Sequence, residues 1–155
     1  MTDSTFDYIV VGAGSAGAVL ANRLSESGEY NVLCLEAGVE GSDYFWSKIP
    51  IGMAKLIDRP AVNWCFSSEP DEGSGGRRIP VPRGKMLGGS SSINGMVFVR
   101  GQPQDYDHWA QLGNQGWSYT DVLPIFKSME TYEGGSDEVR GREGLLQVTD
   151  TPPEI

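Results

Sequence analysis

Tyr8-Ile9-Val10-Val11-Gly12-Ala13-Gly14-Ser15-Ala16-Gly17 decides how this chain is read. Phe6 to Val11 is a short, continuous run, rich in β-branched residues and ending at a glycine. Such a run suits a parallel strand buried on both faces, and it predicts a central strand. From Ser15 to Ser25, Gly17, Leu20, Ala21 and Leu24 recur at helical spacing, and Gly28 supplies a stop. Asn31 to Glu36 is again a buried-type strand, so the order is β-α-β with the right-handed connection such units take.

Gly12, Gly14 and Gly17 form a GxGxxG between strand and helix, the context in which that pattern has a mechanism. Gly12 permits the tight turn, Gly14 lets a diphosphate approach the backbone, and Gly17 lets the helix pack closely on the strand. The amides around Ser15 and Ala16 then face the diphosphate from the positive end of the helix. Glu36, 24 residues after Gly12, ends the second strand, where a carboxylate can accept hydrogen bonds from ribose hydroxyls. Strand, motif, helix, strand and acid together predict an ADP-containing cofactor and leave NAD and FAD both open.

Beyond Glu36 the alternation breaks, because residues 38 to 101 hold eleven glycines and five prolines. Glu69 to Gly76 is a turn-rich tip between residues 64–67 and 78–81, which predicts a loose β-hairpin whose prolines favour an edge. Pro103 to Leu112 and Thr120 to Glu130 have helical periodicity. The second carries Val122, Leu123, Ile125, Phe126 and Met129 as an apolar stripe, with Pro124 placed near its first turn. Glu133 to Gly144 reads as a polar loop and Leu145 to Val148 as a strand. The chain then stops at Pro152-Pro153-Glu154-Ile155 without an obvious closing element.

The 155 residues are enough for one compact domain or a piece of one. A formal net charge of −9 repels phosphate backbones and anionic headgroups, which argues against nucleic acid as a partner. That acidity is uneven: no Asp or Glu lies between Glu72 and Asp105, whereas Arg77, Arg78, Arg83, Lys85 and Arg100 do. The stretch reads either as a solvated basic hairpin or as a seat for a diphosphate. Cys34 and Cys65 are too few for a disulfide framework and read as reduced structural thiols, Cys34 as a buried one. The N-terminus has no signal-type h-region and no apolar span of membrane length, so a soluble cytoplasmic protein is expected.

Gly84 to Gly95 packs four glycines, three serines and an asparagine into twelve residues, a run able to bring many donors to a flat polar-edged ligand. The embedded Met86, Leu87 and Ile93 argue against a solvated linker. Here the sequence resembles the glucose-methanol-choline (GMC) oxidoreductases. The family's first signature looks satisfied from Gly84 through Leu87, Gly88-Gly89, Ser90-Ser91, Ile93-Asn94, Phe98 and Gly101 to Asp107. Gly12 to Gly17 with Glu36-Ala37-Gly38, Val99-Arg100-Gly101, and Trp117-Ser118-Tyr119 with Asp121 to Pro124 look like the same family.

The resemblance implies an α/β, Rossmann-like FAD-binding β-α-β with glycine-rich loops, a β-hairpin and added helices. It implies that residues 1–155 are the N-terminal portion of an incomplete FAD-binding domain, the substrate and catalytic part being absent. It also implies hydride transfer from the CH–OH carbon of a small alcohol to flavin N5, with the isoalloxazine near Asn94, Gly95, Met96 and Val97. Ala37 and Ser91 belong to matching motifs, and Trp64, Arg83, Met86 and Gly88 are weaker cofactor candidates on the same ground. Some members attach flavin through a histidine where this chain has Ile93, so FAD is expected to be non-covalent. The family's base is a histidine from the C-terminal half. His108 reads as a surface or packing residue, and no catalytic or metal-binding residue is assigned in this chain. The alternative is a nucleotide-binding remnant with no catalysis of its own.

Overall fold

A computed structural model describes residues 5–41 and 44–150; the expectations for the extreme termini lie outside the described residues. The chain forms two compact units, Met1–Val97 and Phe98–Ile155.

The first unit opens with β1 (Tyr8–Val11), α1 (Ser15–Ser25) and β2 (Val32–Leu35). The two strands are parallel, with Tyr8 opposite Val32 and Val11 opposite Leu35. The expectation that β1 is buried on both faces is not met. Only Val10 of the strand is buried, and Val11 is 82% exposed. Among the described residues β1 pairs only with β2, and a parallel strand is covered only when neighbours flank it and helices cover both faces. Cys34 is exposed for the same reason, which corrects its assignment as a buried thiol; both cysteines are free.

The core of this unit lies instead under the glycine-rich segments. Leu56, Val62, Met86 and Ile93 form it, with Tyr44 and Trp46 packed against them. A short helix, α2 (Met53–Leu56), supplies Leu56. The antiparallel pair β3 (Phe66–Ser67) and β4 (Pro80–Val81) is joined by a tip in which the Asp71 carboxylate accepts from the amide of Gly73 at 2.8 Å. Two residues of the basic stretch are engaged within the hairpin itself. Arg78 pairs with Glu69 at 2.9 Å on the exposed hairpin, and Arg77 Nε donates to the Ser74 carbonyl at 2.7 Å. Arg100 belongs to the other unit.

The second unit contains α3 (Pro103–Gln111), α4 (Tyr119–Met129), and the parallel strands β5 (Glu130–Tyr132) and β6 (Leu146–Val148). Proline opens α3, where its missing N–H is no loss. Ser118 caps α4: its hydroxyl accepts from the Asp121 amide at 3.3 Å, and the Asp121 carboxylate accepts from the Ser118 amide at 3.2 Å. Pro124 sits deeper than the first turn, at the sixth helical position, so it removes one bond to the Thr120 carbonyl without ending the helix. The Tyr119 amide donates to Asp107 at 2.9 Å, tying α4 to α3. Tyr106 packs edge-on against Trp109 and Phe126, with centroids 5.6 and 5.5 Å away. His108 is exposed on α3. Among the described residues no helix is long and apolar enough to cross a membrane.

Candidate cofactor-binding site

The turn between β1 and α1 is held by its own backbone and by one carboxylate. Gly12 has φ +93°, a left-handed conformation that a side chain would strain, and its amide donates to Leu35 at 2.7 Å. Glu36 Oε2 accepts from the Ala13 amide at 2.8 Å, and Oε1 accepts from the Gly38 amide at 2.9 Å. The carboxylate at the end of β2 therefore fixes the glycine turn as well as bordering the space beside it. Gly14 is the N-cap of α1 and provides no side-chain cap. The first-turn amides are left as donors at the positive end of the helix.

The second glycine-rich segment docks onto this turn. The Gly88 amide donates to Ala13 at 2.8 Å and the Leu87 amide to Val39 at 2.9 Å. A Cβ on Gly89 would come within 2.8 Å of the Gly14 Cα, so the two segments meet backbone to backbone. Residues 84–92 are thus a second wall for the first motif.

Between them opens a cleft of about 820 Å³. Gly12, Gly14, Ser15, Ala16 and Gly17 line one side, Glu36 and Ala37 another, and Trp64 and Arg83 a third. These nine expected residues are brought together. Arg83 is the member of the basic stretch that borders the cleft, while Lys85 places its ammonium 4.9 Å from the Trp64 ring centroid. Arg83 and the α1 N-terminus together favour an anion here, against the sign of the whole chain.

A second, smaller cavity of about 210 Å³ collects Ser91, Asn94 and Met96 beside Trp46, Lys48 and Met53. Met96 has φ +56°, and Asn94 Oδ1 accepts from its amide at 2.8 Å. Four expected residues fall in neither cavity. Met86 is buried in the core, and the Gly88 backbone serves the docking just described. Gly95 and Val97 lie in the exposed stretch that follows.

The serine hydroxyls are engaged within the loop itself. Ser91 Oγ donates to Gly88 at 2.6 Å, Ser92 Oγ donates to Leu87 at 2.8 Å, and Ser90 Oγ accepts from the Gly84 amide at 3.1 Å. They hold the loop's shape because its carbonyls and amides, wound through left-handed glycines, have few strand or helix partners. Phe66, Gly84, Gly89 and Ser90 line the first cleft and were not expected there. Phe66 was legible by alternation, being two residues from Trp64, and the two rings stack with centroids 6.0 Å apart.

Replacing Glu36 by Gln is expected to lower stability by about 2 kcal/mol, because an amide turned toward two N–H donors can satisfy only one. Urea unfolding of the variant against the parent checks this.

The GMC oxidoreductase family model matches residues 6–155. The oxygen-dependent choline dehydrogenase of Brucella suis biovar 1 is 49% identical over 142 residues, covering 92% of this chain and 26% of that protein. That of Sinorhizobium fredii is 50% identical over 147 residues, with 94% and 26% covered. Among solved structures, pyridoxine 4-oxidase from Mesorbium loti superposes with a TM-score of 0.84 at 35% identity, covering 92% of this chain and 28% of that one. An Aspergillus oryzae formate oxidase variant studied for FAD modification does so with 0.84 at 28% identity, covering 99% and 28%. The chain spans about a quarter of the length of the curated relatives it matches. On the match over residues 6–155, this chain belongs to the GMC oxidoreductase family.

Proposed function

We propose that this chain is the FAD-binding part of a flavin-dependent oxidoreductase acting on the CH–OH group of a small alcohol, and that it forms the N-terminal portion of that enzyme's FAD-binding domain. The observation that carries the reading is the docking of residues 84–92 onto the Gly12–Gly17 turn, through the Gly88–Ala13 bond and the Gly14–Gly89 approach. A simple nicotinamide site needs only the first of these segments. A cleft walled by both suits a dinucleotide that runs from a helix N-terminus onto a second loop.

The residues present fit FAD. The uncapped first turn of α1 offers amides to the diphosphate, with Gly12, Gly14 and Gly17 keeping side chains out of the way. Glu36 and Ala37, on one side of the cleft, would hold the ribose, and Trp64 and Arg83 line another wall. Ser91, Asn94, Gly95, Met96 and Val97 are assigned to the isoalloxazine end, while Met86 and Gly88 serve by holding the loop. When bound, FAD supplies the hydride acceptor for the alcohol carbon. Ile93 has no nucleophilic atom and is buried in the core, which supports dissociable rather than covalently attached flavin. The hydroxyl proton of the alcohol is assigned to no residue of this chain, His108 being exposed on α3. The names of the curated relatives make choline the first alcohol to assay.

Titration of the purified protein with FAD, followed by quenching of flavin fluorescence, tests the reading. Saturable binding is expected, with the flavin released into the supernatant on acid precipitation and no competition from NADH. Tight NADH binding without flavin affinity would overturn it. Flavin retained on the precipitated chain would overturn the non-covalent part. FAD binding without reduction by any alcohol would assign the chain to cofactor binding alone.

A further inference from the structure

Asn63 lies outside both cavities and is 2% exposed, yet its amide is committed to three backbone groups in three segments. Oδ1 accepts from the Cys65 amide at 3.0 Å and from the Arg83 amide at 2.8 Å, and Nδ2 donates to the Ile57 carbonyl. The two residues next to these bonds are the ones that face the first cleft: Trp64 between Asn63 and Cys65, and Arg83 itself. Cys65 has φ +52°, a conformation that a residue with a Cβ seldom adopts, and the Asn63 bond to its amide spans that turn. The Trp64 amide in turn donates to the Arg83 carbonyl at 2.9 Å, closing the link between the two segments.

We infer that Asn63 is a positioning residue for the cleft, setting Trp64 and Arg83 at the heights where a bound dinucleotide meets them; the inference rests on the FAD reading above. The side-chain requirement is narrow. The position needs one oxygen that accepts twice and one donor, all at the reach of a single methylene. A carboxylate keeps the double acceptor and loses the donor, an aliphatic side chain keeps the volume and loses everything polar, and a hydroxyl is too short to reach Arg83.

The test compares FAD affinity and the apoprotein melting midpoint in the parent, Asn63→Leu and Asn63→Asp. Asn63→Leu is expected to weaken FAD binding by about 30-fold, since two cleft-forming hydrogen bonds go together. Asn63→Asp is expected to bind FAD within about 5-fold of the parent while melting as low as the Leu variant, because both cleft-forming bonds are kept but a buried carboxylate oxygen then faces the Ile57 carbonyl oxygen. Should Asn63→Leu not fold, Asn63→Ser takes its place with the same expected loss.

Affinity within about threefold of the parent in the Leu or Ser variant would overturn the inference, as would equal losses in the Asp and Leu variants, which mark a merely structural role. If the parent itself binds no FAD, the cofactor reading fails instead. Acrylamide quenching of Trp64, read against a Trp64→Phe background without flavin, then decides: increased quenching with Leu but not Asp upholds the positioning role, and unchanged quenching overturns it.

Discussion

Alanine in place of Gly17 is expected to lower the stability of the Met1–Val97 unit by about 3 kcal/mol and to abolish FAD binding. Helix propensity alone points the other way, since alanine in a helix interior is favoured over glycine by about 1 kcal/mol. Sterics decide the sign. A Cβ on Gly17 would stand 1.8 Å from the Gly12 carbonyl oxygen and 3.2 Å from Val10 Cγ1. The first of these is backbone in a turn that Leu35, Glu36 and Gly88 all hold in place, so relief requires moving the turn that forms the cleft. Ala18→Gly, next door on an exposed face of the same helix, is the control and is expected to cost only about 1 kcal/mol. A shift in the urea midpoint at unchanged slope, with a parallel FAD titration, reads the result. An alanine variant as stable as the parent would show that α1 can slide away from the turn, and would remove the close packing from the account.

Glu130→Ala is expected to destabilise the second unit by about 3–5 kcal/mol. Glu130 is fully buried, with Arg100 Nη2 at 2.6 Å and Arg140 Nε at 3.1 Å from its Oε1. The same oxygen accepts from the Gly141 amide at 2.9 Å. Removing the carboxylate strands the Arg100 guanidinium, whose side chain is only 9% exposed, without a counter-charge. By the same logic, Glu130→Leu combined with Arg100→Leu should recover part of the loss, because well-packed apolar groups avoid the desolvation that a lone buried charge incurs. Chemical unfolding followed by the emission of Trp109 and Trp117, both in this unit, is the measurement. A loss below about 1 kcal/mol would mean that water reaches the site and screens the pair.

These two positions show different degrees of legibility. Gly17 was readable because a GxGxxG between a strand and a helix has one geometrical use. Glu130 was hidden at the end of a predicted helix, where an acidic residue looks like any solvated charge. Its burial depends on Arg100 and Arg140, brought in from thirty residues before and ten after. The burial of Met86 was hidden for a related reason: within a motif whose neighbours face the cleft, packing against Leu56, Val62 and Ile93 turns that side chain inward.

The local elements and the family were legible along the chain. The helix expected over 15–25 is α1, the parallel partner of β1 is β2, and the motifs at 12–17 and 84–95 were sufficient for the GMC resemblance that the family model bears out. Those features rest on spacing along the chain, where each residue's neighbours are known in advance. Folding in three dimensions settled that the serine hydroxyls hold the loop, that β1 leaves Val11 exposed, and that Gly89 closes on Gly14 from 75 residues away. Each of these depends on which groups meet across long loops, and hydrogen-bond satisfaction and excluded volume settle that only once the chain has folded.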